Sequence, residues 1–149
     1  MKYFVLICAR GGSKGIKNKN LKKLNGKSLI SHSIHLSKKT RGSPIVVVSS
    51  DSNLILNEAK NCAADILIKR PKYLSTDSSP EILTWKHSIK ILKKKFEYEF
   101  DFFISLPTTS PLRKIQDINK SIAKFEKNNF DGLLNLTESS RNPFFNMVQ

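Results

Sequence analysis

The residues best suited to chemistry lie in one run, Cys8 to Asn20, which reads Cys-Ala-Arg-Gly-Gly-Ser-Lys-Gly-Ile-Lys-Asn-Lys-Asn. It holds three glycines, a serine, one arginine and three lysines, and no acid. It follows the apolar run Tyr3-Phe4-Val5-Leu6-Ile7, which reads as a buried strand. A flexible turn at the end of a central strand can aim several backbone N–H groups at one anion while nearby cations neutralise its charge. The ligand this asks for carries more than one phosphate, and a nucleoside triphosphate is the obvious candidate.

The charge distribution agrees. The formal net charge is +14, but residues 1–50 carry nine lysines, two arginines and no Asp or Glu, so that segment alone supplies +11. A one-sided field of this kind attracts polyanions. Lys22, Lys23, Lys38 and Lys39 are scattered and read as a solvated face. Arg10, Lys14 and Lys19 are packed among glycines and read as functional.

Around this run the chain alternates strand and helix patterns. Strands are expected at Lys2–Cys8, Pro44–Ser50, Ala64–Ile68, Phe100–Leu106 and Asp131–Leu136. Helices are expected at Ser28–Lys39, Ser52–Asn61, Glu81–Lys95 and Ile115–Asn128, with Ile82, Trp85, Ile89 and Leu92 forming the apolar side of the third. The β-branched run Ile45-Val46-Val47-Val48 marks a strand buried on both faces. Alternation implies right-handed crossovers and a mostly parallel sheet with helices on both faces, an α/β Rossmann-like fold. Ligands bind such sheets at the carboxyl ends of the strands. The polar segments 9–20, 49–53, 69–80 and 107–113 each follow a strand and should converge there.

Length sets one domain, residues 1–149. The two cysteines, Cys8 and Cys62, have no partner at metal-ligand spacing and are expected to be buried free thiols. No secretory leader or run of membrane-spanning length is visible, so a cytoplasmic location without membrane association is the expectation. The ending at Asn142–Gln149, with no closing helix or polar tail, reads as an interruption. It leaves Phe144 and Phe145 as an expected exposed apolar face.

Three tempting motifs fail on spacing. Asn25-Gly26-Lys27-Ser28 lacks the first glycine of a P-loop, since position 21 is Leu, and it follows no strand. It reads as a turn into the next helix. Gly11, Gly12 and Gly15 do not match the dinucleotide fingerprint. His32 and His35, three apart on a helix, have no further ligands nearby and read as surface or cap histidines. The aromatics sit in apolar strands rather than among the basic residues, so no nucleic-acid stacking surface is expected.

The blocks Ala9-Arg10-Gly11-Gly12-Ser13-Lys14-Gly15, Lys19-Asn20, Leu24–Ile30, Val48-Ser49-Ser50-Asp51, Arg70-Pro71 with Leu74-Ser75-Thr76-Asp77, and Pro107–Arg113 together resemble the CMP-sialic acid synthetases (acylneuraminate cytidylyltransferases) in order and spacing. The resemblance covers nearly the whole chain. It implies a nucleotidyltransferase fold and transfer of CMP from CTP to the anomeric hydroxyl of a nonulosonic acid, with release of pyrophosphate. By position it implies that Arg10 and Lys19 hold phosphate oxygens and that Gly11, Gly12 and Ser13 complete the cradle. Asn20, Arg70 and Ser79 would lie near the cytosine or ribose. Thr109, Ser110 and Arg113 would lie near the acceptor sugar. A guanidinium fork suits a pyrimidine carbonyl, which makes Arg70 the candidate reader of the base.

Two departures change what the resemblance implies. Sialic acid enzymes often carry Leu-Gln-Pro-Thr-Ser-Pro-Leu-Arg, whereas Pro107 stands here in place of the glutamine. Legionaminic or pseudaminic acid is then as credible an acceptor as neuraminic acid. The family's metal-binding aspartate pair and dimer segment lie beyond Gln149, and this chain has no Asp-x-Asp; Asp51 and Asp77 stand alone. Magnesium is expected to be held mainly by the CTP phosphates and water. A family that is often dimeric is expected here as a weakly associating or monomeric unit. A CTP-binding remnant with impaired catalysis is the alternative.

Overall fold

The computed structural model describes residues 1–128 and 130–136. Four strands form a parallel sheet: β1 (Tyr3–Cys8), β4 (Ile45–Ser50), β5 (Ile66–Lys69) and β6 (Phe102–Ser105), in the order β5-β4-β1-β6. Between β1 and β4 lie a short hairpin, β2 (Lys23–Leu24) with β3 (Lys27–Ser28), and helix α1 (Leu29–Lys38). Helix α2 (Asn53–Asn61) joins β4 to β5, and α3 (Glu81–Lys95) joins β5 to β6. Helix α4 (Ile115–Lys127) follows. The chain divides into two compact units, Met1–Ile115 and Gln116 onward.

The sheet is central because its strands are apolar on both faces. Phe4, Val5, Leu6, Ile7 and Val46 to Val48 are fully buried. Register follows from the pleat: Leu6 lies opposite Val47 and Val5 opposite Val46. Phe4, Leu6, Val47 and Ile68 share one face and pack with Leu92 of α3, with Trp85, Ile89 and Phe103 at the margin. Phe4 meets Phe100 edge-on at 4.7 Å, a geometry favoured by the ring quadrupoles. On the other face Val5, Ile7, Val46 and Val48 are closed off as well, and Ile30, Ile34 and Ile55 of α1 and α2 are fully buried. Helices therefore cover both faces, as alternation implied.

Strand order decides where a ligand can go. The chain steps from β1 to β4 to β5, then returns through α3 to place β6 on the opposite side of β1. The connections leaving β1 and β6 therefore diverge, opening a crevice at the carboxyl end of β1.

Several local expectations are corrected. Asp131–Leu136 is not a strand: no ladder pairs with it, and Leu134 and Leu136 stand 87% and 91% exposed. A short leucine-rich segment makes a strand only where a neighbouring edge accepts its hydrogen bonds. Ile82 is exposed rather than part of the apolar side of α3. Cys8 and Cys62 are half-buried free thiols rather than buried ones. The β2–β3 hairpin escaped the alternation pattern, although its turn is legible. Asn25 and Gly26 both take positive φ (50° and 79°), the requirement of a two-residue hairpin turn, and Asn-Gly is the pair that meets it most cheaply. Phe144 and Phe145 lie outside the described residues.

Helix α1 begins where Ser28 caps it. The hydroxyl accepts from the Ser31 N–H at 3.2 Å and donates to Glu58 Oε1 of α2 at 2.6 Å, so one residue both starts α1 and ties it to α2. Ser28→Ala should lower stability by about 1–2 kcal/mol, the range for losing a serine cap. Urea unfolding measures this, and an unchanged midpoint would show that the cap contributes nothing.

Candidate functional site

The crevice at the end of β1 is a cleft of about 660 Å³. Four segments line it: the loop after β1 (Arg10, Ser13, Lys14, Gly15, Ile16, Lys19, Asn20), the stretch after β5 (Arg70, Leu74, Thr76, Asp77, Ser79), the start of α3 (Glu81, Thr84) and the loop after β6 (Pro107, Thr108, Thr109). Cys8, the last residue of β1, also lines it. Of the expected site residues, Arg10, Ser13, Lys19, Asn20, Arg70, Ser79 and Thr109 meet here. Gly11, Gly12, Ser110 and Arg113 do not line the cleft.

The loop after β1 owes its path to Gly11 and Asp51. Ala9 N–H bonds to Ser49 O at 3.0 Å, extending the sheet pairing by one residue. Gly11 N–H then donates to Asp51 Oδ1 at 2.9 Å. A Cβ on Gly11 would come within 2.9 Å of the Ser52 Cβ, a contact real side chains do not make. Gly11 is thus required for close approach to the end of β4, and its N–H serves the loop rather than a ligand. Ser13 N–H likewise bonds inside the loop, to Gly11 O at 3.1 Å. Asn20 is 4% exposed and sits in the short 3-10 turn Lys19–Leu21. Its Nδ2 donates to Arg10 O at 2.9 Å, and its Oδ1 accepts from the Thr108 hydroxyl at 2.6 Å.

Asp77 does not stand alone. Its carboxylate bridges Arg10 Nη1 at 2.6 Å and Lys14 Nζ at 2.7 Å. The bond from Lys14, then that from Arg10, holds the carboxyl below its ordinary range. The sequence offered no signal for this pairing, because 63 or more residues of chain separate the partners.

Arg70 leaves β5 by bonding its N–H to Ser50 O at 2.8 Å, and its side chain turns inward. The residue is 6% exposed. Nη1 donates to Thr84 Oγ1 at 3.1 Å, while Nε and Nη2 are buried with no acceptor. A buried cationic donor without a partner is costly, and an acceptor supplied from outside would relieve it. Burial lowers the Arg70 pKa, Arg10 adds to the fall, and Cys8, Asp51 and Glu81 oppose it. Ser75 Oγ and Ser79 Oγ are also buried without partners. Burial pushes the Cys8 thiol up to about 12, with Glu81 adding to the rise and Arg70 opposing it. At neutral pH the thiol stays protonated and is no nucleophile.

Of the remaining expected residues, Arg113 has a structural partner. Arg113 Nη1 donates to Pro107 O at 2.7 Å, fixing the loop after β6, and burial lowers its pKa. Ser110 is exposed. His32 Nε2 pairs with Leu24 O and His35 Nδ1 with Ser31 O, both at 2.8 Å, so both histidines are held by the local backbone. No described helix is long and apolar enough to cross a membrane.

A cleft of this make can receive a polyanion at Arg10, Lys14 and Lys19, and a hydrogen-bond acceptor at Arg70. Comparison with known proteins points the same way. The flagellin modification protein B of Campylobacter coli is 35% identical over 143 residues, covering 96% of this chain and 61% of that protein. The CMP-N,N'-diacetyllegionaminic acid synthase of Campylobacter jejuni is 34% identical, again over 96% of this chain and 61% of the relative. The chain therefore spans about three fifths of the length of these relatives. A solved CMP:2-keto-3-deoxy-manno-octonic acid synthetase, complexed with CTP, superposes with a TM-score of 0.69 over 87% of this chain and 49% of its own, at 19% identity, and shows the shared nucleotidyltransferase fold. The sequence pattern of one family, described as cytidylyltransferase, runs from residue 4 to residue 145, and to that family this chain belongs.

Proposed function

We propose that this chain binds CTP in the cleft at the end of β1 and transfers CMP to the anomeric hydroxyl of a nonulosonic acid. One arrangement carries the reading: three cations from the loop after β1 line the same cleft as a buried arginine with two donors unpaired. Charge there suits a triphosphate, and a guanidinium with Nε and Nη2 left without acceptors suits a pyrimidine carbonyl.

In this reading Arg10 and Lys19 hold phosphate oxygens, with Lys14 and Ser13 beside them. The sugar hydroxyl oxygen gives up its proton to solvent and bonds to the α-phosphorus, the bond from that phosphorus to the bridging oxygen breaks, and pyrophosphate leaves with the electron pair. The cations stabilise charge that grows on the departing pyrophosphate, which is where fixed positive groups lower a barrier most. Arg70 and Ser79 face the cytosine or ribose. Thr109 lines the cleft and is the first of the 109–113 segment to meet the acceptor. Among the described residues no three His, Cys, Asp or Glu side chains gather to hold a metal, so magnesium would arrive on the triphosphate with its waters.

The acceptor is a nonulosonic acid of the legionaminic, pseudaminic or neuraminic type. Pro107 supplies no amide where sialic acid enzymes often carry glutamine, which makes the first two as credible as the third. The similarity to a legionaminic acid synthase supports keeping that acid in the set.

Pyrophosphate release, followed with CTP, magnesium and a panel of nonulosonic acids, tests the assignment, and the preferred acid names the substrate. Arg10→Ala should lower kcat by roughly 10²–10³, the usual cost of removing one charge-stabilising donor, with thermal stability unchanged. Near-native turnover in that variant would sink the reading. CTP binding without turnover by the wild-type chain would leave it a nucleotide-binding unit.

Asp77 occupies the cations a triphosphate needs. Asp77→Asn should therefore tighten binding of CTP and of free pyrophosphate by about two- to fivefold, the scale of an exposed ion pair. Calorimetry at low salt reads the change. Unaltered or weaker affinity would show that Asp77 does not compete with the anion.

A further inference from the structure

We infer that the Arg10–Gly11 peptide is clamped at both ends, by a side chain from the far end of its own loop and one from the end of β4, and that Thr108 is a positioning residue for Arg10 acting through Asn20. The inference rests on Arg10 serving the triphosphate as proposed above.

One peptide unit receives both bonds. Its carbonyl, that of Arg10, accepts from Asn20 Nδ2 at 2.9 Å, and its N–H, that of Gly11, donates to Asp51 Oδ1 at 2.9 Å. Asn20 comes from the far end of the same loop and Asp51 from the end of β4. A glycine-rich loop has many peptide orientations open to it. Two fixed partners, one per face of the unit, reduce these to one. The direction in which Arg10 leaves the backbone is set with it.

The clamp works only if the Asn20 amide faces the right way. A carbonyl accepts and cannot donate, so Nδ2 must face Arg10 and Oδ1 must face away. Thr108 enforces this by donating its hydroxyl to Oδ1 at 2.6 Å. Asn20 and Thr108 are each 4% exposed, so water is a poor substitute for either bond. Thr108 stands at the end of β6, which lies on the other side of β1 from β4. The peptide that carries Arg10 is thus referenced to both neighbours of its own strand.

Three variants test this. Thr108→Val keeps shape and removes the donor. Thr108→Ser keeps the donor. Asn20→Asp keeps shape but places a carboxylate oxygen against the Arg10 carbonyl. Amide hydrogen exchange on the nucleotide-free chain reads the clamp directly at Gly11. Exchange across residues 9–20 should quicken about tenfold in Thr108→Val and Asn20→Asp, the scale of one buried hydrogen bond lost. In Thr108→Ser it should stay near wild type. With CTP, kcat/KM should fall about tenfold in the first two variants, chiefly through KM, and recover in the serine variant.

Unchanged exchange in the loop, or an equal rise over the whole sheet with a matching fall in Tm, would overturn the clamp. Loss in the serine variant as large as in valine would do the same. If the wild-type chain binds no CTP while the loop responds as stated, the functional reading fails and the clamp stands.

Discussion

The cleft depends on the close approach of Gly11 to the end of β4. The chain leaves β1 under Ser52 with no room for a side chain, and there Asp51 takes the Gly11 N–H. Had the loop passed further out, Arg10 and Lys19 would stand away from the switch in strand order. A parallel sheet supplies the crevice, but any such sheet does. What distinguishes this one is a loop rich in glycine, pinned to its neighbour strand and loaded with cations.

That constraint explains how polar groups are divided between structure and function. Gly11 and Ser13 look like ligand-binding amides in the sequence, yet their N–H groups hold the loop. Asn20 looks like a nucleotide contact, yet both ends of its amide are engaged by protein. Arg70 is the reverse. Its buried guanidinium is left short of acceptors, an expense a fold tolerates where function uses it.

The fold was legible because its strands are so apolar: Tyr3 to Ile7 and Ile45 to Val48 read as buried strands from composition alone. The convergence of four polar segments followed from topology and needed no side-chain detail. What sequence could not supply was long-range pairing. Nothing local links Asp77 with Arg10 and Lys14, or Thr108 with Asn20. The leucines of Asp131–Leu136 misled for the opposite reason, since apolar composition speaks only of burial, and a ladder also needs a partner edge. The hairpin at Asn25-Gly26 was missed because its strands are two residues each, too short for periodicity to register, and only the turn chemistry betrays it.

A site built for a polyanion must also be stable without one. Arg10 and Lys14 both approach within 2.7 Å of a single carboxylate, so two like charges are brought near each other and are left facing one another once it is gone. Asp77 relieves that repulsion in the empty cleft. It does so from a half-exposed position, where solvent and salt screen the pair and keep the bond weak. In the proposed reading a triphosphate brings several charges where the carboxylate brings one, so charge alone would win it the cations without further help for Asp77 to leave. Burying Asp77 would have strengthened the pair and set it against the ligand. The exposure of this carboxylate, beside the burial of Arg70, separates the group that must yield from the group that must stay.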